Sequence, residues 1–371
     1  AYIFTQGSSI RSSKVNPIYY SDILSKFMND GDAKKIVYSV RNIEYKFKSG
    51  KIGLQDFTFS EESGKMLAIM GGSGAGKSTL LNILNGNNKP HKGTISVNGI
   101  DIFNQKDRIE GVIGYVSQDD LLIEELTVYQ NLYYNAKLCF DGFSEEEIET
   151  LVVDMLNNLG LGETVDLKVG SPLEKTISGG QRKRLNIALE LIREPSVLFL
   201  DEPTSGLSSR DSENIMDLLK QLTLKGKLIF VVIHQPSSDI FKMFDKLIIL
   251  DVGGYPIYYG NPVDSVIYFK KYINHVSSNE SECVTCGNVN PEQVFNIIEA
   301  KVLDEYGNVT DNRKVSPKEW NEHYIESIGK NVELLKDEKE IPESTFKVPN
   351  FIKQFFVFLT RDILSKLTNR Q

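Results

Sequence analysis

Between positions 71 and 80 the chain reads GGSGAGKSTL, directly after the apolar run Met66, Leu67, Ala68, Ile69, Met70. The spacing from Gly71 to Ser78 is G-x-x-x-x-G-K-S. Glycines at these positions let successive backbone N–H groups turn inward as an anion nest. The helix expected from Ser78 to Leu84 adds the positive end of its dipole at the same place. In that chemistry Lys77 sets a point charge against β- and γ-phosphates, and Ser78 offers a hydroxyl to Mg²⁺. A flexible glycine-rich turn before an ordinary helix has the same composition, so the pattern takes its meaning from what accompanies it.

A second stretch, 197-VLFLDEPTSGL-207, is a short unbroken apolar run that ends in two acids. Carboxylates at the C-terminal edge of a buried parallel strand point into the crevice where α/β folds bind ligands. Asp201 suits the water shell of Mg²⁺, and Glu202, one residue later, suits orienting and deprotonating an attacking water.

The elements that must hold these groups follow from periodicity. Val37-Tyr38-Ser39-Val40, Ile43 to Phe47 and Phe57-Thr58-Phe59 are β-rich runs separated by turn residues, which predicts antiparallel strands. Residues 119–175 switch to apolar spacing of three to four, in LTVYQNLYYNAKL and SEEEIETLVVDMLNNLGL, and read as a helical insertion. Val197–Leu200 and Leu228–Ile233 read as buried parallel strands. The fold class is therefore α/β, with an antiparallel β subdomain, a parallel-sheet core and a helical subdomain.

Composition bounds the partners. The chain has 371 residues, 40% hydrophobic and 25% charged, with net charge −8, so no overall positive field exists to hold a nucleic acid. Three cysteines give no disulfide framework and suit a reducing compartment. No segment reaches the roughly 18 uninterrupted apolar residues of a membrane span. The chain opens without Met and stops at Gln371 without a helix stop signal, from which further polypeptide is expected.

With these motifs in order, the sequence resembles the nucleotide-binding domain of an ATP-binding cassette (ABC) transporter, a P-loop NTPase, over residues 35–265. The resemblance implies that Gly71, Gly72, Ser73, Gly74, Ala75, Gly76, Lys77, Ser78 and Thr79 cradle the phosphates of ATP. It implies that 177-ISGGQ-181 is the family signature, whose Ser178, Gly179, Gly180 and Gln181 cap ATP bound by a partner subunit. Gln118 in 114-GYVSQDD-120 resembles the glutamine that senses Mg²⁺, and His234 in 231-VVIHQPSS-238 the switch histidine. Phe47 stands where the family places the aromatic that stacks on adenine, with Tyr45 as second choice. The implied catalytic set is Glu202, His234, Gln118 and Lys77, and the implied Mg²⁺ set is Ser78, Gln118 and Asp201. TSGLSS, ISGGQRKRLNIALELI and IHQPSSDIF resemble the G (White) subfamily, in which the cassette precedes the membrane domain in one polypeptide. One departure is Ser208, in 205-SGLSS-209, where the family carries an Asp that helps couple the two ATP sites.

The resulting organisation is an N-terminal linker and short helix over 1–33, the latter around Tyr20 to Met28; the cassette over 34–265; a C-terminal extension over 266–349; and an amphipathic connecting helix over 350–371. Residues 276–316 read as loop, and 317–338 as one polar helix with the only Trp, Trp320. The last helix places Phe351, Phe355, Phe358, Ile363 and Leu367 near one face, among Lys353, Arg361, Lys366 and Arg370, as a helix lying on a membrane surface would; packing on the domain's own surface is the alternative. Cys283 and Cys286, with His275, have the spacing of half a metal site or of a cytosolic thiol pair, and Cys139 reads as core. The expected partners are a second cassette, which closes head to tail around two ATP molecules, and a C-terminal transmembrane domain at the cytoplasmic face of the membrane, with export as the expected direction. A soluble ABC ATPase acting on ribosomes or nucleic acid is the rival, although only one cassette is visible and no heptad insertion interrupts it.

Overall fold

The structure is a computed structural model that describes residues 9–12 and 15–19 as backbone, and residues 35–171, 176–273, 289–338 and 346–368. It divides into two compact units, residues 1–106 with 219–341, and residues 107–218 with 342–371.

The first unit contains the glycine-rich loop and the strands around it. β5 (Met66–Gly71) lies between β10 (Leu228–Val232) and β11 (Lys246–Asp251), parallel to both, and β12 (Tyr255–Gly260) pairs antiparallel with β11. Every residue of β5 and β10 is buried, which is why both runs are apolar without alternation. Asp245 fixes the start of β5: its Oδ2 accepts from the Met66 N–H at 2.8 Å and from Lys220 Nζ at 2.8 Å. α1 (Lys77–Leu84) leaves the loop that follows β5 and buries Leu80, Leu81, Ile83 and Leu84.

A second sheet in this unit has the order β4-β3-β6-β7, from β3 (Val37–Lys46), β4 (Ile52–Glu62), β6 (Lys92–Val97) and β7 (Ile100–Asp101). The three short runs expected there are two long strands. Asn42 takes a left-handed φ of 48° and slips the register between Val40 and Ile43 without ending β3, while its N–H donates to Thr58 Oγ1 at 2.8 Å. Within the stretch read as a linker, β1 (Ser9–Ser12) and β2 (Val15–Tyr19) pair antiparallel, and the helix expected over Tyr20–Met28 lies outside the described residues.

The C-terminal extension is more ordered than its composition implies. Residues 274–288, which hold His275, Cys283 and Cys286, lie outside the described residues. Beyond them, α8 (Pro291–Ile298) and the hairpin β13 (Lys301–Leu303) and β14 (Val309–Arg313) replace the expected loop. The start signal is local: Asn290 Oδ1 accepts from the Glu292 N–H at 3.0 Å and Pro291 occupies the first helical position. Val294, Ile297 and Ile298 then share the buried face at helical spacing. α9 (Pro317–Ser327) buries Trp320, whose ring centroid lies 5.1 Å from that of Phe269 and 4.7 Å from that of Tyr272, both in α7 (Pro262–Tyr272), which comes after the short α6 (Ser238–Met243) in the chain.

In the second unit β8 (Ile113–Val116) and β9 (Val197–Asp201) pair in parallel. Over the expected helical insertion run α2 (Val128–Cys139) and α3 (Glu145–Asn158), followed by α4 (Gly179–Leu191), which starts at the segment expected to be the family signature. Each of the three starts in a reciprocal capping box: Thr127 with Gln130, Ser144 with Glu147, and Ser178 with Gln181. Cys139 is core as expected, and burial pushes its thiol up to about 11. α10 (Phe351–Thr368) is tied to this unit by Lys353 Nζ on Asp141 Oδ1 at 2.8 Å and by the Ser365 hydroxyl on Glu125 Oε2 at 3.1 Å.

Candidate active site

In the first unit, the loop between β5 and α1 is shaped by close backbone approach. A Cβ at Gly71 would lie 2.4 Å from the Leu250 carbonyl oxygen, and one at Gly76, where φ is +98°, would lie 3.0 Å from the Gly53 carbonyl oxygen. A Cβ at Gly74 would meet nothing within 4 Å, so the middle of the loop faces open space. Lys77 Nζ folds back over the loop and donates to the Gly71 and Gly72 carbonyls at 2.9 and 3.1 Å. Ser73 and Ser78 are exposed, Thr79 is half-buried and Ala75 is buried beneath the turn.

Two further expected groups share this unit. Phe47 is 40% exposed and packs edge-on to Tyr45, with centroids 5.3 Å apart. Its ring covers Gly53, where a Cβ would come within 2.6 Å of Cε2, and Gly53 in turn abuts Gly76, so the aromatic stands beside the loop. His234 follows β10, where the Ile233 N–H donates to the Ile69 carbonyl at 3.2 Å. Together with Gly71, Gly72, Ser73 and Gln235, it lines a cavity of about 310 Å³ closed on its other side by α8. Gln235 takes a left-handed φ of 46°, a conformation an L-residue holds at some cost and one that concentrates at functional sites.

The second unit assembles the acids. Asp201 is the buried last residue of β9. Its charge and, first, burial hold the nearby Tyr115 hydroxyl above its ordinary range. Glu202 is half-buried with φ 46°, and its Oε2 accepts from Gln118 Nε2 at 3.1 Å. The glutamine and the acid thus meet although they are far apart in sequence. Ser178, Gly179, Gly180 and Gln181 form the first turn of α4; a Cβ at Gly180 would lie 2.7 Å from Asp211 Oδ1 and one at Gly179 would lie 3.3 Å from Leu207.

Two basic residues of the signature helix were not singled out from sequence. Lys183 Nζ donates to the Gln118 carbonyl at 2.7 Å, and Arg182 bonds Asp120 Oδ2 at 3.2 Å and the Gly170 carbonyl. Both side chains are largely buried, so α4 clamps the loop that carries Gln118. Burial pulls the Lys183 ammonium below its ordinary range, opposed by Asp120, Asp119, Asp201 and Glu202. The signal in the sequence was a pair of cations on the buried side of a mixed polar and apolar helix, legible only once its packing is known. Ser208 has a defined local role: its Oγ accepts from the Asp211 N–H at 3.1 Å and donates to Asp211 Oδ2 at 2.8 Å, which caps α5 (Ser209–Leu224) and aims Asp211 at Gly180.

Ser78 in the first unit, and Gln118 and Asp201 in the second, each carry an oxygen of the kind a hard cation takes. The described residues contain no cluster of three or more His, Cys, Asp or Glu able to cage a metal. A strand, a glycine loop with a reach-back lysine and a helix, with an acid pair ending a second parallel strand, define the P-loop NTPase class.

Residues 54–205 match the family described as ABC transporter, and residues 234–354 match that described as ABC-2 type transporter. The chain is 40% identical over 213 residues to ABC transporter G family member 13 of Arabidopsis thaliana, covering 56% of this chain and 30% of that protein. It is 38% identical over 250 residues to a probable ATP-dependent permease of Saccharomyces cerevisiae, covering 65% of this chain and 24% of that protein. The curated relatives are longer, and the chain spans between 19% and 34% of those it matches. Among solved structures, cbiO1 from Clostridium perfringens, part of the ABC transporter complex cbiONQ, superposes with a TM-score of 0.56 at 29% identity, covering 65% of this chain and 93% of that one. The ADP conformation of an ATP-binding cassette of an ABC transporter has the same fold, with a TM-score of 0.55 at 24% identity over 64% of this chain and 97% of that one. The chain thus contains an ABC transporter domain over residues 54–205, and the relatives it resembles include members of the G family. Among the described residues no helix is long and apolar enough to cross a membrane.

Proposed function

We propose that this chain is the ATP-hydrolysing part of a G-type transporter, and that it works as a pair of cassettes. The observation that carries the reading is the reach-back geometry of Lys77 over Gly71 and Gly72 at the start of α1, which sets a cation beside a helix N-terminus where a triphosphate would lie. In this reading the loop residues 71–79 hold the phosphates, Phe47 stacks on the adenine, and Ser78, Gln118 and Asp201 hold Mg²⁺. The ion, when bound, neutralises the charge that develops on the phosphates. Glu202 orients a water and takes its proton, Gln118 keeps the Glu202 carboxylate in register, and His234 faces the γ-phosphate. Ser178 to Gln181 of a second copy, or of a homologous cassette, close over the nucleotide.

Closure and reopening would drive a membrane domain joined through the C-terminal part of the chain, at the cytoplasmic face, with export as the direction. α10 supports a membrane-surface role: Phe351, Phe355, Phe358, Ile363 and Leu367 are all exposed, with Lys353 and Lys366 on the same element. The test is Lys77→Ala in the intact chain. Phosphate release should fall about 100-fold or more, as for loss of a donor aimed at developing charge, while the melting temperature stays within a few degrees. Equal turnover in both proteins would refute the assignment.

A further inference from the structure

The cavity beside the phosphate loop has an acidic wall that the reading above does not use. Glu299, just past the end of α8, brings its carboxylate against the loop: a Cβ built on Gly72 would lie 2.6 Å from Glu299 Oε1. The same cavity is lined by His234, so the carboxylate stands on the side where the switch histidine faces the terminal phosphate. The cation paired with it does not neutralise it. Arg313 Nη2 is 3.8 Å from Glu299 Oε1, whereas Arg313 Nη1 donates to both oxygens of the buried Asp251, at 2.7 and 2.9 Å. The guanidinium is committed to Asp251, and the trio keeps one net negative charge. The Glu299 side chain is half exposed, so that charge is screened but not abolished.

We infer that Glu299 is a specificity-determining residue of the nucleotide site, a fixed negative charge that weakens binding of the triphosphate more than of the diphosphate. This rests on the reading of residues 71–79 as the phosphate loop. The chemistry is Coulombic: a nucleotide bearing a γ-phosphate brings about one more negative charge than its diphosphate, and brings it to the side of the loop that Glu299 faces. Lys77 attracts both nucleotides from the same carbonyls, so Glu299 subtracts from the attraction unequally. Glycine at position 72 is part of the device, since a side chain there would push the carboxylate off the loop. The β13–β14 hairpin supplies Arg313 and thereby sets how much of the charge the loop feels.

The experiment measures the Kd of Mg-ATPγS and of Mg-ADP by calorimetry on the intact chain, for wild type, Glu299→Gln, Glu299→Lys and Lys77→Ala. Glu299→Gln should tighten ATPγS on the order of 5-fold and ADP by clearly less, and Glu299→Lys should widen the difference further. Raising salt from about 0.1 to about 0.5 M should shrink the gap between wild type and Glu299→Gln. Lys77→Ala should weaken both nucleotides. An unchanged ratio of the two affinities in Glu299→Gln and Glu299→Lys, with Lys77→Ala still losing binding, overturns the role of Glu299 alone. Full binding by Lys77→Ala overturns the loop assignment and this inference with it. A drop in melting temperature with both affinities unchanged would make Glu299 a brace for the hairpin and nothing more.

Discussion

The amide of Gln118 and the carboxylate of Glu202 are joined by a 3.1 Å hydrogen bond, and the backbone carbonyl of the same glutamine is held by Lys183 from the signature helix. One residue therefore links the acid that follows β9 to the helix whose N-terminus carries Ser178. Glu202 is held at a positive φ, so its side chain is aimed by backbone as well as by Gln118.

If Glu202 is the general base, Glu202→Gln keeps an oxygen for the Gln118 amide but cannot accept a proton. Hydrolysis should slow about 100-fold or more while ATP still binds. Light scattering with Mg-ATP, Mg-ADP and no nucleotide should then show a dimer only in the mutant with ATP, and adding Ser178→Arg should abolish it. A variant that turns over ATP near the wild-type rate removes Glu202 from this role.

Lys183→Met keeps the unbranched, buried stem of the side chain and removes its donor, so the Gln118 carbonyl loses its partner. Urea unfolding should show a loss of about 1–3 kcal/mol, and ATP turnover should fall because Gln118 is no longer fixed. A stable variant with wild-type turnover would mean that the clamp is dispensable.

Ser208→Ala removes the cap of α5 and should cost about 1 kcal/mol, whereas Ser208→Asp keeps a capping oxygen and should restore most of it. Because Asp211 faces Gly180, the alanine variant should also loosen the first turn of α4, read as faster amide exchange over 179–182. Protection in that turn equal to wild type would break the proposed link between Ser208 and the signature segment.

Binding of the chain to anionic liposomes should depend on residues 350–371 and weaken with salt. The tie between α10 and its unit should depend on acidity. The hydrogen bond from Lys353, with the charges of Lys353 and Lys347, holds the Asp141 carboxylate below its ordinary range. A carboxylate depressed in the folded state contributes stability above its unfolded value and loses it as pH falls through the folded value. Proteolysis within α10 should therefore be slow at neutral pH, accelerate below about pH 4, and be fast at neutral pH in Lys353→Ala. Equal liposome pelleting by the intact and truncated chains, or pH-independent cleavage, would contradict these expectations.

Sequence alone determined what is written locally. The glycine loop, the apolar strands on either side of the chemistry, the acid pair and the capping boxes each depend on residues within a few positions of one another, and the backbone has few other ways to satisfy them. α8 was legible in the same way, since Asn290 and Pro291 are a helix-start signature, but the polar composition around it reads as loop. Tertiary structure alone decided which distant residues meet: Lys183 at the Gln118 carbonyl, Asp211 against Gly180 and Glu299 against Gly72. Those pairs carry no periodicity and no motif, because a side chain that serves another segment is chosen by the geometry where the two segments cross. The glycines show both levels at once. Sequence marks them as a cradle for phosphate, while the fold adds that Gly71 is confined by the Leu250 carbonyl and Gly76 by that of Gly53, contacts set by β11 and β4 packing around the loop.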